Sequence, residues 1–131
     1  MTQPLGVLSM SARPLSFFLV EDEPMIRIMV TDMLEELGHR VVAEAGDVEE
    51  GARLAQSTDF DLAILDVNVR GKLITPVAEL IRARGRPIIF ATGYGSDGLP
   101  EGFRDFPALP KPFQLETLAK AIDGVIGSRG S

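Results

Sequence analysis

At 131 residues and 45% hydrophobic side chains, the chain can bury the core of one domain and is too apolar to be disordered. Nineteen acids against 13 bases leave a net charge of −6, which argues against a direct nucleic-acid partner, and the absence of Cys excludes disulfides and thiolate metal sites. No basic signal region opens the chain, and no apolar run approaches the ~18 residues of a membrane helix, so a soluble cytoplasmic domain without membrane insertion is expected.

Residues 1–13 mix Pro, Gly, Ser and Thr and are expected to form a loosely attached N-terminal tail, ahead of one domain over 14–127 and a C-terminal tail at 128–131. Ser16–Val20 reads as the first strand. Pro24 suits the first turn of a helix on which Ile26, Met29, Val30, Met33, Leu34 and Leu37 recur, and Gly38 stops it. The row Met25, Met29 and Met33 reads as core, and His39, in the following turn, as structural. Val41–Ala43 is a short second strand. Asp47 caps a second helix with Val48, Ala52 and Ala55 inward.

Asp61–Asp66 is the third and most apolar strand. A third helix is predicted from about Leu73 to Arg84, with Leu73, Val77, Leu80 and Ile81 facing the core, and Arg82, Arg84 and Arg86 form a solvated end. Pro87–Ala91 is the fourth strand. Gly93 to Phe106 makes a poor helix, since each of its glycines costs roughly 1 kcal/mol and Pro100 ~3, so this stretch is expected to be loop-like or disordered. Ala108–Leu109 is a fifth strand that Pro107 and Pro110 confine to a sheet edge. A last helix carries Leu115, Leu118, Ala119, Ile122, Val125 and Ile126 on one face.

Strands alternating with helices imply an α/β fold with a parallel sheet and right-handed crossovers. Five strands suit the flavodoxin-like, doubly wound order 2-1-3-4-5, whose switch point lies between strands 1 and 3. Chemistry in such sheets gathers at the carboxyl ends of the strands. There this chain carries Glu21 and Asp22, then Asp66, Thr92 and Lys111. Three carboxylates in one crevice repel, a pair ~4 Å apart costing about 4 kcal/mol at an effective dielectric near 20, unless they take up protons or share a cation. Oxygen-only ligands favour a hard ion, and a small open cluster suits Mg²⁺. Asp66 is then a candidate nucleophile toward phosphorus, with Lys111 and the Thr92 hydroxyl offsetting phosphoryl oxygens.

The motifs Val20-Glu21-Asp22-Glu23-Pro24, Leu65-Asp66, Ala91-Thr92-Gly93 and Lys111-Pro112-Phe113, in this order and at these intervals, resemble those of response-regulator receiver domains of two-component signalling. The resemblance implies that Asp66 is the phosphoacceptor, that Glu21, Asp22 and Asp66 bind Mg²⁺ with the backbone carbonyl of Asn68, that Thr92 is the switch hydroxyl and that Lys111 holds the phosphoryl group. It implies a sensor histidine kinase or histidine phosphotransfer protein as donor, docking on the first helix near Met25, Arg27 and Ile28, and a downstream regulatory protein. The stretch Pro87-Ile88-Ile89-Phe90-Ala91-Thr92-Gly93-Tyr94 is similar to the signature of the FAT GUY subfamily of single-domain regulators, often found in stress-response signalling. Receivers usually place an aromatic switch residue three positions before the lysine, where this chain has Ala108, so Tyr94 is the expected substitute. The Pro-Gly-x-Asp-Gly turn that often follows the phosphoacceptor is replaced by Asn68-Val69-Arg70-Gly71-Lys72.

Competing readings differ in testable ways. An aspartyl-phosphate hydrolase carries its nucleophile on the first strand and its metal acids last, the reverse of the order here. A flavin domain needs Ser, Thr and Gly donors after strand 1, where Glu21-Asp22-Glu23 would repel a phosphate. The remaining alternative is a receiver-like interaction module that works without phosphorylation.

Overall fold

A computed structural model of the chain describes residues 13–93 and 98–130. The tail expected over residues 1–13 therefore lies, apart from Arg13, outside the described residues, and so does Tyr94. In chain order the elements are β1 (Ser16–Val20), α1 (Pro24–Glu36), β2 (Arg40–Ala45), α2 (Val48–Ser57), β3 (Leu62–Asp66), β4 (Asn68–Val69) and β5 (Lys72–Leu73). After these come α3 (Thr75–Ala83), β6 (Ile88–Thr92), β7 (Ala108–Pro110) and α4 (Leu115–Gly130).

The five long strands form one sheet in the order β2-β1-β3-β6-β7, all parallel, which is the predicted doubly wound arrangement. β1, β3 and β6 are buried along their whole length because helices cover both faces. Alternation divides their side chains. Phe18, Val20, Leu65 and Phe90 pack with α2 and α3 on one face, while Phe17, Leu19, Ile64 and Ile89 pack with α1 and α4 on the other. Asp47 caps α2 as expected, its Oδ1 accepting from the Glu50 N–H at 2.7 Å. His39 is buried, with Nδ1 accepting from the Leu15 N–H at 3.0 Å.

Three readings change. The third helix starts at Thr75, not Leu73, because the chain first reverses through a two-residue turn. Arg70 (φ +53°) and Gly71 (φ +79°) are both left-handed, as a type I′ hairpin turn requires, so that Val69 pairs with Lys72. Leu73 consequently lies on the exposed ribbon, 55% accessible. On α1 the buried arc is Val30 and Leu34, and Met25 and Met29 turn outward, 78% and 38% exposed, while Met33 packs half-buried against the core.

The arginines at the end of α3 are solvated as expected, Arg82 and Arg84 being exposed, and they act as staples as well. Arg84 donates to the carbonyls of Ala55 and Thr58, which the end of α2 leaves without helical partners, and Arg86 pairs with Asp59 at 3.4 Å. Arg82 lies 4.2 Å over the Phe103 ring and donates to the Gly102 carbonyl. The last helix runs through Gly130.

Among the described residues no α-helix lies between β6 and β7, in keeping with the expected loop. The described part, 98–107, is nevertheless packed. Leu99 and Phe103 are buried, and Phe103 meets Phe90 and Phe106 edge-on at 5.5 and 4.9 Å. Truncating Phe103 to Ala should therefore destabilise the protein by about 3–5 kcal/mol in urea unfolding, and a loss below about 1 kcal/mol would mean that this segment is not anchored to the core.

Candidate functional site

The register of the parallel sheet assembles the site. Val20 pairs with Leu65, so the residues that follow, Glu21 and Asp66, emerge side by side at the switch point. Asp66 pairs in turn with Ala91 and Thr92 with Pro110, which sets Thr92 and Lys111 on the next two strand ends. A cis peptide joins Lys111 to Pro112, and the Lys111 N–H donates to the Thr92 carbonyl at 2.9 Å.

The predicted acids converge. Glu21, Asp22 and Asp66 each offer a carboxylate oxygen, and these three atoms lie within 4.8 Å of one another. Lys111 Nζ bridges two of the acids, 3.1 Å from Glu21 Oε1 and 3.0 Å from Asp66 Oδ2. Glu21, Asp66 and Thr92 are buried. Above them opens a cleft of about 410 Å³ lined by Asp22, Glu23, Asp66, Val67, Asn68, Arg70, Gly71, Thr92, Gly93 and Lys111. Asn68 sits on its rim as the first residue of β4. Neither acid of the pair caps α1. Glu23 holds the N-cap position without a side-chain bond, Glu21 Oε2 accepts from the Glu23 N–H, and Asp22 Oδ2 accepts from the Arg70 N–H at 2.9 Å.

Charge is strained here. Burial is the largest influence on Glu21 and, with the nearby Asp66 charge, pushes its carboxyl from 4.5 to about 7, against hydrogen bonds from the Glu23 N–H and Lys111. Asp22 goes the other way: burial opposes its charge, but the Arg70 N–H and the Glu21 side chain hold it below the ordinary carboxylate range. Burial also works against the Lys111 charge, and hydrogen bonds to Asp66 and Glu21 more than offset it, raising its pKa. An oxygen-only set that cannot comfortably carry three negative charges fits a hard divalent cation, and these residues suit Mg²⁺, which accepts few carboxylates and keeps several waters.

Two supporting arginines were not legible as such. Arg27 Nη1 donates to the Glu21 carbonyl at 2.5 Å while its Nε pairs with Glu44 at 3.4 Å, and Arg70 supplies the amide that holds Asp22. Arg27 carries only its place on the helix as a signal. Arg70 had a better one, the glycine that follows it at a turn.

The model of the response regulator receiver domain matches residues 17–123. The chain belongs to that family. It is 37% identical over 117 residues to the transcriptional regulatory protein PdtaR of Mycobacterium tuberculosis, a match covering 86% of this chain and 57% of that protein. The chain thus spans little more than half the length of this curated relative. The solution structure of SdrG from Sphingomonas melonis Fr1 is 40% identical with a TM-score of 0.76, over 86% of this chain and 97% of that one. The receiver domain of the sensor histidine kinase PA1611 from Pseudomonas aeruginosa PAO1 is 26% identical with a TM-score of 0.71, over 88% and 99% of the two chains. That structure has a magnesium ion coordinated in its active-site cleft. Receiver domains serve two-component signalling, where they interact with histidine kinases or phosphotransfer proteins, and the family is regulatory rather than enzymatic in the ordinary sense. None of the described helices is long and apolar enough to cross a membrane.

The raised Glu21 carboxyl has a measurable consequence. Between pH 4.5 and about 7 the folded protein keeps a proton on Glu21 that the unfolded chain has released, so stability from this group is present below 4.5 and declines up to about 7. His39 slopes the opposite way, because burial lowers its pKa from 6.5. A comparison with Glu21→Gln, which retains His39, isolates the acid. In metal-free urea unfolding at about pH 5 and about pH 7.5, the unaltered protein should lose stability relative to Glu21→Gln at the higher pH; a difference independent of pH would refute the shift.

Proposed function

We propose that Asp66 accepts a phosphoryl group from the phosphohistidine of a sensor histidine kinase or histidine phosphotransfer protein, in a reaction that depends on Mg²⁺. The observation that carries this reading is the meeting of Glu21, Asp22 and Asp66 beneath Lys111, whose Nζ lies 3.0 Å from the Asp66 carboxylate. Glu21, Asp22, Asp66 and the Asn68 backbone carbonyl are the groups assigned to the ion. When bound, Mg²⁺ supplies positive charge against the carboxylates and the incoming phosphoryl oxygens.

The chain's own residues do the rest. An Asp66 carboxylate oxygen attacks phosphorus, the donor's N–P bond breaks as the O–P bond forms, and the released imidazole nitrogen takes up a proton. Lys111 keeps its positive charge beside the acyl phosphate, and the buried Thr92 hydroxyl is the donor assigned to a further phosphoryl oxygen. Movement of Thr92 is proposed to switch the segment after β6 together with Tyr94. For Tyr94 the support is the Phe90-Ala91-Thr92-Gly93-Tyr94 signature alone. A downstream regulatory protein would read that change.

The donor is assigned to α1. Met25 and Ile28, 78% and 59% exposed, form an apolar surface on the helix that begins just after the acid pair. Apolar side chains in the open need a reason, and a transient docking face is one.

Incubation with a phosphorylated histidine kinase, or with phosphoramidate as a small N–P donor, should add one phosphoryl group by intact mass, and both chelation of Mg²⁺ and Asp66→Asn should abolish it. Labelling that survives in Asp66→Asn would remove Asp66 as the acceptor, and labelling that never occurs in the unaltered protein would leave the phosphorylation-independent interaction module instead. Met25→Glu or Ile28→Glu should slow transfer from a kinase by roughly fivefold or more while leaving phosphoramidate labelling unchanged. Equal kinase rates would remove α1 as the docking face.

A further inference from the structure

Two cations line the cleft, and they are placed differently. Lys111 is committed to Glu21 and Asp66. Arg70 is exposed on the rim, and among the described residues its guanidinium pairs with no carboxylate, since Nε donates to the neutral Gly46 carbonyl at 3.2 Å. The other bases around this end of the molecule have acids: Arg27 pairs with Glu44, Lys72 with Glu49, and Arg53 with Glu50. An uncommitted guanidinium beside a carboxylate cluster is unusual.

Its backbone is unusual as well. Arg70 is the one non-glycine residue with positive φ among the described residues, at +53°. It holds the first central position of the β4–β5 turn, where Asn, Asp or Gly is the ordinary choice because a side chain there carries a steric cost. Local rules are broken most often where a site demands it. The turn's amide requirement does not explain an arginine, because glycine would present the same N–H to Asp22 without the cost. What arginine adds is the head group.

Position supplies the rest. The Arg70 nitrogen is one hydrogen bond from Asp22, whose carboxylate lies within 4.8 Å of that of Asp66. A long, exposed side chain rooted there lines the same cleft as Asp66 and has the length to extend over it. Among the described residues the guanidinium bond to be given up is the one to Gly46, which water can replace.

We infer that Arg70 is a second phosphoryl-binding residue, whose guanidinium leaves the Gly46 carbonyl to hold the phosphoryl oxygens on Asp66 from the side opposite Lys111. This rests on the proposal that Asp66 is the phosphoacceptor. Arginine suits the task because its planar donors match two oxygens of one phosphoryl group at once, whereas lysine acts as a single point charge. The group sits in place of the Pro-Gly-x-Asp-Gly turn common after the acceptor in similar chains, so this cleft would hold its phosphoryl group more tightly than one with a neutral rim.

Beryllofluoride, which mimics a phosphoryl group on a carboxylate, tests this in the intact chain. Its affinity is measured by amide NMR titration in saturating Mg²⁺ for the unaltered protein, Arg70→Ala and Arg70→Lys, and Mg²⁺ affinity is measured separately for all three. Every residue compared carries a side chain at the same φ, so the comparison isolates the head group. The expected result is roughly tenfold weaker beryllofluoride binding in Arg70→Ala, an intermediate value in Arg70→Lys, and equal Mg²⁺ affinity throughout. Equal beryllofluoride affinity in Arg70→Ala and the unaltered protein would overturn the role of Arg70 and leave Asp66 as acceptor. A matching loss of Mg²⁺ affinity would overturn it too, by placing the effect on Asp22. If the unaltered protein binds no beryllofluoride, the phosphoacceptor reading fails and this one with it.

Discussion

The site depends on a repulsion. Three carboxylates share a partly buried crevice, and the energy of each pair, about 4 kcal/mol at 4 Å and an effective dielectric near 20, rivals a sizeable part of a domain's net stability. The fold tolerates this because the acids stand at the ends of strands whose remaining residues are buried and apolar. Lys111 is the charge that bridges two of the acids, and removing it would leave Glu21 and Asp66 facing each other inside the protein. The same imbalance that costs stability creates affinity for a cation. A cleft satisfied by its own side chains would have little reason to bind one.

The rigidity of that arrangement comes from the sheet. Glu21 and Asp66 are placed by the ladder between β1 and β3, and Lys111 by β7, whose proline flanks leave it few backbone donors and hold it at the sheet edge. β6 carries a second message. Phe90 and Thr92 lie two residues apart and so point to the same face, and Phe90 packs on Phe103 and Phe106 of the segment that follows. Arg82 covers Phe103 from α3. Thr92 therefore lies close to a buried aromatic cluster, and among the described residues no helix covers that cluster between β6 and β7.

What the sequence revealed and what it hid follow from how each feature is encoded. The strand ends were legible because burial on both faces produces unbroken apolar runs, and the polar residue that ends each run stands out. Asp66 after Leu62–Leu65 is the clearest case. The α1 methionines were misread because helical spacing shows that a stripe exists but not where the core arc ends: Val30 and Leu34 fill it, and Met25 and Met29 fall outside. The β4–β5 ribbon was hidden because pairs of two residues carry no period. The arginines at the end of α3 are solvated as they looked, but charge alone does not announce the α2 carbonyls that Arg84 satisfies, or the ring that Arg82 covers.

Gly46 shows how such unannounced contacts join into one support. It follows β2 and precedes the Asp47 cap, and both cleft-side arginines meet it. Its carbonyl receives Arg70, while a Cβ on its other side would stand 2.9 Å from Arg27 Nη1, too near for any side chain unless Arg27 withdrew. Arg27 in turn holds the Glu21 carbonyl, and Arg70 holds the Asp22 carboxylate. Two neighbouring acids on one loop are thus fixed by two arginines that pack around a single glycine, one through the backbone and one through the side chain. That division accompanies opposite shifts in the two acids: the Arg70 amide favours the charge of Asp22 directly, whereas Arg27 anchors only the Glu21 main chain, and burial with the nearby Asp66 charge outweighs the bonds from the Glu23 N–H and Lys111 to raise its carboxyl.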